Sequence, residues 1–349
     1  MEILIENKKI GPNHRPFLIA EMSGNHNNSL DRALKIVDAA ADAGVDAIKL
    51  QTFTPDTMTL NIKGGLFEIN DINSLWNGRT LYDLYQEAQT PWDWHKAIFN
   101  RAKERGLIPF STPFDESAVD FLESLSVPIY KIASYENTDW TLLKKIAQTK
   151  KPVLMSTGVS DLSQIWEAVN ILKNNGCPSV ILLKCTSTYP SSPKDSNILT
   201  IPHMIDLFNC IVGLSDHTLG IGAAVASVAL GSRVIEKHFT INRSDGGIDS
   251  AFSMEPGEMK MLVSESINAF LALGNIQYNV QKNEEKGRQF KRSIYAVKLI
   301  DKGDTFTKDN IKVIRPGDGL EPKYYDMLIG RKAKTDIPFA TPLTWDLLI

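Results

Sequence analysis

The stretch "FLIAEMSGNHNNS" (17–29) begins as a short apolar strand and breaks into polar groups from Glu21 onward. An open doubly wound sheet usually carries a glycine-rich phosphate loop at this point, after its first strand. The segment "AEMSGNHNNS" (20–29) has one glycine, Gly24, and no G-x-G-x-x-G. The same apolar-then-polar strand recurs along the chain, at "AIKLQTF" (47–53), "LIPFSTPF" (107–114), "IYKIAS" (129–134), "PVLMSTG" (152–158), "VILLKCT" (180–186), "IVGLSDH" (211–217) and "RVIEKHF" (233–239). Amphipathic segments lie between them, among them "LDRALKIVDAAADAG" (30–44), "DWHKAIFNRAKERG" (93–106) and "QIWEAVNILKNNG" (164–176), closed by a glycine. Between the sixth and seventh strands only "HMIDLF" (203–208) carries a helical pattern. Eight β-then-α units over roughly 250 residues are the signature of a TIM barrel, and an α/β (β/α)8 barrel is the expected fold.

Barrel chemistry sits at the C-terminal ends of the strands. Polar residues collect there: Glu21, Lys49 and Gln51, Ser111 and Thr112, Lys131 and Ser134, Ser156 and Thr157, Thr186 and Ser187, Ser215 and His217, Glu236 and His238. One buried polar residue is ordinarily a satisfied core group, but polar side chains at all eight strand ends point to a binding funnel. Ser215, Asp216 and His217 look like the parts of a hydrolytic triad. Strand alternation puts Ser215 and His217 on one face and turns Asp216 away, so no triad forms. Glu236 and His238 also share a face, which brings His217 and His238 together on the last two strands. Two imidazoles suit a divalent transition metal with open positions, or serve as hydrogen-bonding groups.

Lys49 and Lys131 stand in apolar strands, where a lysine is costly unless paired or used. A salt bridge to Glu21 or Glu136 would explain them. So would a Schiff base, or an anion clamp in which Thr112, Ser134, Ser156, Ser187 and Ser215 add hydroxyl donors. In a shielded site each ion contact is worth about 4 kcal/mol, against about 1 in water, enough to hold a small trianion without a glycine-rich loop. Cys185 reads as a small core residue, because no histidine follows at a helpful spacing. The six tryptophans read as packing.

The bulk numbers narrow the class. A chain of 349 residues supports more than one domain, and a net charge of −3 offers no basic footprint for nucleic acid. The run "IGAAVASVALG" (221–231) is too short to span a bilayer, and "MEILIENKKI" (1–10) lacks a signal-peptide core. Three cysteines without C-x-x-C fit a reduced, cytoplasmic protein. We expect a barrel domain at 1–275, a polar linker at 276–290 and a small domain at 291–349. At about 60 residues the last is small for independent stability, so docking on a barrel is expected. Within it, "VIRPGDG" (313–319) places Arg315 before a Pro-Gly turn, either as a protruding cation or as a solvated loop residue.

The motifs "IAEMSGNHNNS", "AIKLQTFTPDT", "FSTPFD", "YKIASYE", "STGVSD", "KCTSTYP", "GLSDHT", "VIEKHF" and "VIRPGDGL", in this order, resemble the sialic acid synthase family. That family joins a TIM barrel to a C-terminal antifreeze-like (SAF) domain. Within it the likeness is to the pseudaminic acid synthases, which show A-E-[ML]-S-x-N-H where neuraminate and legionaminate synthases show A-E-I-G-x-N-H. The resemblance implies condensation of phosphoenolpyruvate with an open-chain acylamino-sugar, with loss of phosphate. For this branch the sugar is 2,4-diacetamido-2,4,6-trideoxy-L-altrose; N-acetylneuraminate or legionaminate synthesis is the alternative. It places a divalent metal, usually Mn2+ with Mg2+ or Co2+ as substitutes, on His217 and His238. Phosphoenolpyruvate contacts fall on Lys49, Thr112, Lys131, Ser134, Ser156 and Ser215, and on Ser187, where sialic acid synthases often have Asn. Sugar contacts fall on Glu21, Gln51, Tyr189, Asp249 and Arg315, and Glu21 becomes a candidate for proton transfer. A domain-swapped homodimer is implied. Outside the resemblance, a Schiff-base aldolase using Lys131 or Lys49, or a carbohydrate-binding barrel without catalysis, stays open.

Overall fold

The computed structural model describes residues 1–72 and 74–349. The chain divides into two compact units, Met1–Gly274 and Asn275–Ile349. The first opens with an antiparallel hairpin that sequence reasoning missed, β1 (Ile3–Ile5) and β2 (Lys8–Ile10). Eight parallel strands follow: β3 (Phe17–Glu21), β4 (Ala47–Thr52), β5 (Ile108–Pro113), β6 (Tyr130–Ile132), β7 (Val153–Ser156), β8 (Val180–Cys185), β9 (Val212–Ser215) and β10 (Val234–His238). They pair in chain order and close between β10 and β3, forming the TIM barrel expected from the sequence.

Alternation sorts each strand into two cores. Leu18, Ala20, Ile48, Leu50, Tyr130, Ile132 and Ile235 face the surrounding helices in one large cluster. Phe17, Ile19, Ala47, Phe110, Leu154, Leu183 and Val234 fill the barrel interior in a second cluster, which also takes Ile3, Ile5 and Ile10 from the hairpin. Each valine, leucine, isoleucine or phenylalanine among them contributes about 1.5–3 kcal/mol of burial. The apolar filling stops short of the C-terminal strand ends. There the inward positions pass to Glu21, Lys49, Thr112, Lys131, Ser156, Ser215 and Glu236, all buried. The barrel is thus an oil-filled cup under a polar mouth.

The helices start and stop where local chemistry dictates. Leu30–Ala43 begins at Ser29, whose hydroxyl accepts from the Arg32 N–H (3.2 Å), and ends at Gly44, with φ 87°. The helix between β8 and β9 spans Thr200–Phe208, longer than the 203–208 pattern shows. The strand β9 ends at Ser215, so His217 lies in the following loop rather than in the strand.

Residues 275–292 are largely exposed and include a 3-10 segment, Lys282–Phe290. Beyond them β11 (Ser293–Ala296) pairs antiparallel with β12 (Ile311–Ile314). This unit has its own core, centred on Ile294, Ile300, Phe306, Leu328 and Leu343. Among the described residues no helix is long and apolar enough to cross a membrane.

Candidate functional site

Four charges meet at the barrel mouth. Lys49 is paired with Glu21. Glu236 Oε1 lies 3.1 Å from Lys131 Nζ and 3.8 Å from Lys49 Nζ, and accepts from Ser215 Oγ (3.2 Å). Lys49 also donates to Thr112 Oγ1 (3.1 Å). The salt bridge considered for Lys49 exists, but the partner of Lys131 is Glu236 on a strand across the mouth, not Glu136. Burial pushes the Glu21 carboxyl up against the pull of Lys49. Burial acts the same way on Glu236, yet Lys131 and Lys49 outweigh it and hold that carboxyl below its ordinary value. The Lys131 amine is lowered by burial, with Glu236 offsetting part of the effect. The two cations come neutralised, two against two.

Hydroxyls form the next part of the site. Gly158 N–H donates to Ser134 Oγ (3.1 Å). Ser156 Oγ is buried and finds no partner among the described residues. A Cβ on Gly158 would run into Ser187 Oγ and lie 2.8 Å from Ser134 Oγ. Glycine here lets Ser134 and Ser187 approach one another, and with Ser156 they offer hydroxyl donors to a multiply charged anion.

The histidines converge although β9 has already ended. The His217 and His238 ring centroids are 5.3 Å apart. The expectation that Asp216 turns away holds: it pairs with Lys237 Nζ (2.8 Å), which also donates to the carbonyls of Thr218 (2.6 Å) and Gly220 (2.9 Å). This fully buried lysine fastens the loop that carries His217. His217 Nδ1 donates to the Thr186 carbonyl (2.9 Å). A carbonyl can only accept, so Nδ1 carries a proton, and Nε2 is the nitrogen that would turn to a metal. His238 Nδ1 is buried without a hydrogen-bond partner among the described residues, 3.9 Å from Asp249 Oδ2. Burial, then the charge of His217, keeps His238 neutral. Burial lowers His217, but its hydrogen bond to Cys185 and the charge of that sulfur outweigh burial and raise it. Once His217 gives up that proton, the pair would offer two imidazole nitrogens to a divalent cation. Among the described residues no group of three or more His, Cys, Asp or Glu is arranged to hold one, so further coordination would fall to water or substrate.

Cys185 is buried, as expected of a small core residue, but it also has a histidine partner. Burial raises its thiol, but the hydrogen bond and charge of His217 overcome this and lower it to about 6. Its partner histidine is 32 positions away in sequence (217 − 185) and adjacent only through the barrel. Above the mouth lies a cavity of about 250 Å3 that reaches Gln51, Tyr189, His238 and Asp249. Asp249 accepts from the Ser23 hydroxyl, and the Tyr189 ring lies 4.4 Å from that of His217. The barrel therefore gathers Glu21, Lys49, Gln51, Thr112, Lys131, Ser134, Ser156, Ser187, Tyr189, Ser215, His217, His238 and Asp249 around its mouth. Arg315 stands in the second unit, exposed and without an ion pair among the described residues.

Among the lining residues not read as part of the site are Glu136, weighed only as an ion-pair partner, and Trp76. Glu136 has a buried Oε2 with no partner among the described residues, and burial lifts its carboxyl to about 7. Trp76, read as packing, lines the cavity and faces Tyr189 at 6.0 Å. For Glu136 a signal existed, its place two residues beyond Ser134 on a strand-end loop. For Trp76 there was none.

The chain matches the NeuB family over residues 36–278 and the SAF domain over residues 291–349. It is 44% identical over 334 residues to pseudaminic acid synthase of Campylobacter jejuni, covering 94% of this chain and 95% of that protein. Identity to pseudaminic acid synthase of Helicobacter pylori is 41%, covering 95% and 97%. Among solved structures, the N-acetylneuraminic acid synthetase of Leptospira borgpetersenii in complex with citrate superposes with a TM-score of 0.73 at 33% identity, covering 82% of this chain and 95% of that one.

The serine cradle yields a direct test. Gly158→Ala should displace the Ser134 and Ser187 hydroxyls and weaken binding of inorganic phosphate by at least about tenfold, the worth of one hydrogen bond to a charged group. Isothermal calorimetry on the folded variant measures it. Unchanged affinity would place the anion elsewhere.

Proposed function

Because the chain belongs to the NeuB family and ends in an SAF domain, we propose that it condenses phosphoenolpyruvate with 2,4-diacetamido-2,4,6-trideoxy-L-altrose, giving pseudaminic acid and phosphate. The reading rests on one coincidence. A chain with near full-length likeness to pseudaminic acid synthases carries, at the barrel mouth, both an anion site and a pair of metal-competent histidines.

Lys49, Lys131 and the hydroxyls of Thr112, Ser134, Ser156, Ser187 and Ser215 hold the phosphate and carboxylate of phosphoenolpyruvate. Gln51, Tyr189 and Asp249 orient the open-chain sugar so that its aldehyde faces the enol carbon. His217 and His238 would hold a divalent ion, Mn2+ by the family pattern, which would supply Lewis-acid charge toward the aldehyde oxygen. The enol carbon forms the new C–C bond, leaving an oxocarbenium at the carbon that bears phosphate. Water adds to that carbon, and the tetrahedral adduct collapses with cleavage of the C–O bond. Phosphate leaves with the bridging oxygen, and the ketone of the product keeps the oxygen of water. Glu21, raised by burial and touching Lys49, is placed to move the proton.

We further propose that the active unit is a swapped homodimer in which each barrel uses the Arg315 of the other chain. Exposed Tyr135, Val159, Leu199 and Leu219, on four successive strand-end loops, give a second copy an apolar rim to dock on.

Phosphoenolpyruvate labelled with heavy oxygen at the bridge tests the chemistry. The label should leave in phosphate when the diacetamido sugar is supplied, and a chelator should stop the release. Label retained in the sugar acid, or release that survives chelation, would contradict the mechanism; faster release with N-acetylmannosamine would move the assignment to neuraminate synthesis. The dimer has its own test. Co-refolding inactive His217→Ala chains with inactive Arg315→Ala chains should restore about a quarter of wild-type activity, since half the dimers are mixed and half their sites intact. No recovery in verified mixed dimers would place Arg315 in its own chain's site.

A further inference from the structure

The cavity above the mouth takes a large share of its apolar lining from one segment. The polar members of the lining, Gln51, Glu136, Tyr189, His238 and Asp249, come from strand ends and the loops that follow them. Of its apolar and aromatic members, Phe53, Met58, Trp76, Leu84 and Tyr85 come from one segment, between β4 and the helix His95–Glu104, while Phe114, Ala133, Tyr135 and Ile248 join them from strand ends and the loops that follow. Several of the segment's described residues are tied to the barrel. The Trp76 indole N–H donates to the Ile248 carbonyl (3.2 Å), next to Asp249. Phe53 packs edge-on against Tyr85 (5.8 Å) and Phe114 (5.2 Å). Gly24 permits the close approach of Ala88, since a Cβ there would lie 3.3 Å from the Ala88 Cα.

We propose that this segment selects the sugar, with Met58, Trp76 and Tyr85 receiving the apolar groups that distinguish a deoxygenated, doubly acylated aldose from a hydroxylated one. The inference rests on the condensation reading above and adds to it the part of the site that discriminates. Stereochemistry aside, the diacetamido sugar differs from N-acetylmannosamine at two carbons. It has acetamido for hydroxyl at one and methyl for hydroxymethyl at the other. Both changes add apolar surface. The polar lining meets groups that the two sugars share, an aldehyde, hydroxyls and one acylamino group, so it separates them poorly. An apolar lining favours the methyls and leaves an added hydroxyl desolvated without a partner. Such a pocket rejects a hydroxyl by about 100-fold and no more, because the penalty is a lost contact rather than a broken hydrogen bond of the protein. The selectivity therefore has a size as well as a direction.

The test is the ratio of kcat/KM for the two sugars in wild type, Met58→Gln, Trp76→Ala and the conservative Met58→Leu. Wild type should prefer the diacetamido sugar by about 100-fold. Met58→Gln and Trp76→Ala should each cut that ratio at least fivefold through the diacetamido sugar, with KM for phosphoenolpyruvate unchanged. Met58→Leu should keep the ratio. Equal losses with both sugars would overturn the proposal, because they mark a structural role. So would an unchanged ratio in active variants. If wild type releases no phosphate with either sugar, the condensation reading itself fails, which is a different result.

Discussion

Four buried charges determine what this barrel mouth can be. Lys49 and Lys131 stand on strands packed with aliphatic side chains, and Glu21 and Glu236 meet them from the two strands that close the barrel. Removing one partner of such a set leaves an uncompensated charge out of water, a cost of about 3–5 kcal/mol. Strand register, closure between β10 and β3, and the position of both lysines are tied together by this requirement. In the register β10 pairs His238 with Glu21 and β4 pairs Lys49 with Glu21, so one carboxylate links the histidine side of the mouth to the lysine side.

The two halves of the barrel answer to different physics. Below, the aliphatic interior and the hairpin that closes its floor supply stability and carry no chemistry. Above, hydroxyls, imidazoles and carboxylates are kept under-satisfied: Ser156 Oγ, Glu236 Oε2, Glu136 Oε2 and His238 Nδ1 lack partners among the described residues. Buried polar groups are ordinarily paired, and a cluster that is not is waiting for a ligand. A phosphate or carboxylate would accept from Ser156, hydroxyls and N–H groups of a sugar would donate to the Glu136 and Glu236 oxygens, and a metal ion would engage an imidazole. Lys237 shows the cost of holding such a site: one fully buried cation is spent on fastening the loop of His217.

Much of this was legible in the sequence, for reasons that can be named. Strand alternation made the barrel and its polar ends readable, ruled out the Ser215–Asp216–His217 triad, and brought His217 and His238 together. The alternation argument even outlasted its premise, since β9 ends before His217 and the loop still delivers the ring. What stayed hidden depends on closure in three dimensions. Glu236 and Lys131 are 105 positions apart (236 − 131), and nothing local says that they meet. Cys185 gained its histidine the same way. Met58 ends the one-turn helix Pro55–Met58, Trp76 lies in an irregular stretch, and Tyr85 lies in the short helix Leu81–Ala88, so no single period reveals that they meet over one cavity.

Coupling across the charge set tests the account most directly. Urea unfolding of Glu236→Gln, Lys131→Met and the double variant forms a mutant cycle. The account predicts that Glu236→Gln loses about 3 kcal/mol, because it strands the Lys131 charge, and that adding Lys131→Met returns at least half of that loss. Two losses that simply add would mean the charges do not hold one another, and the neutral, ligand-ready mouth described above would be wrong.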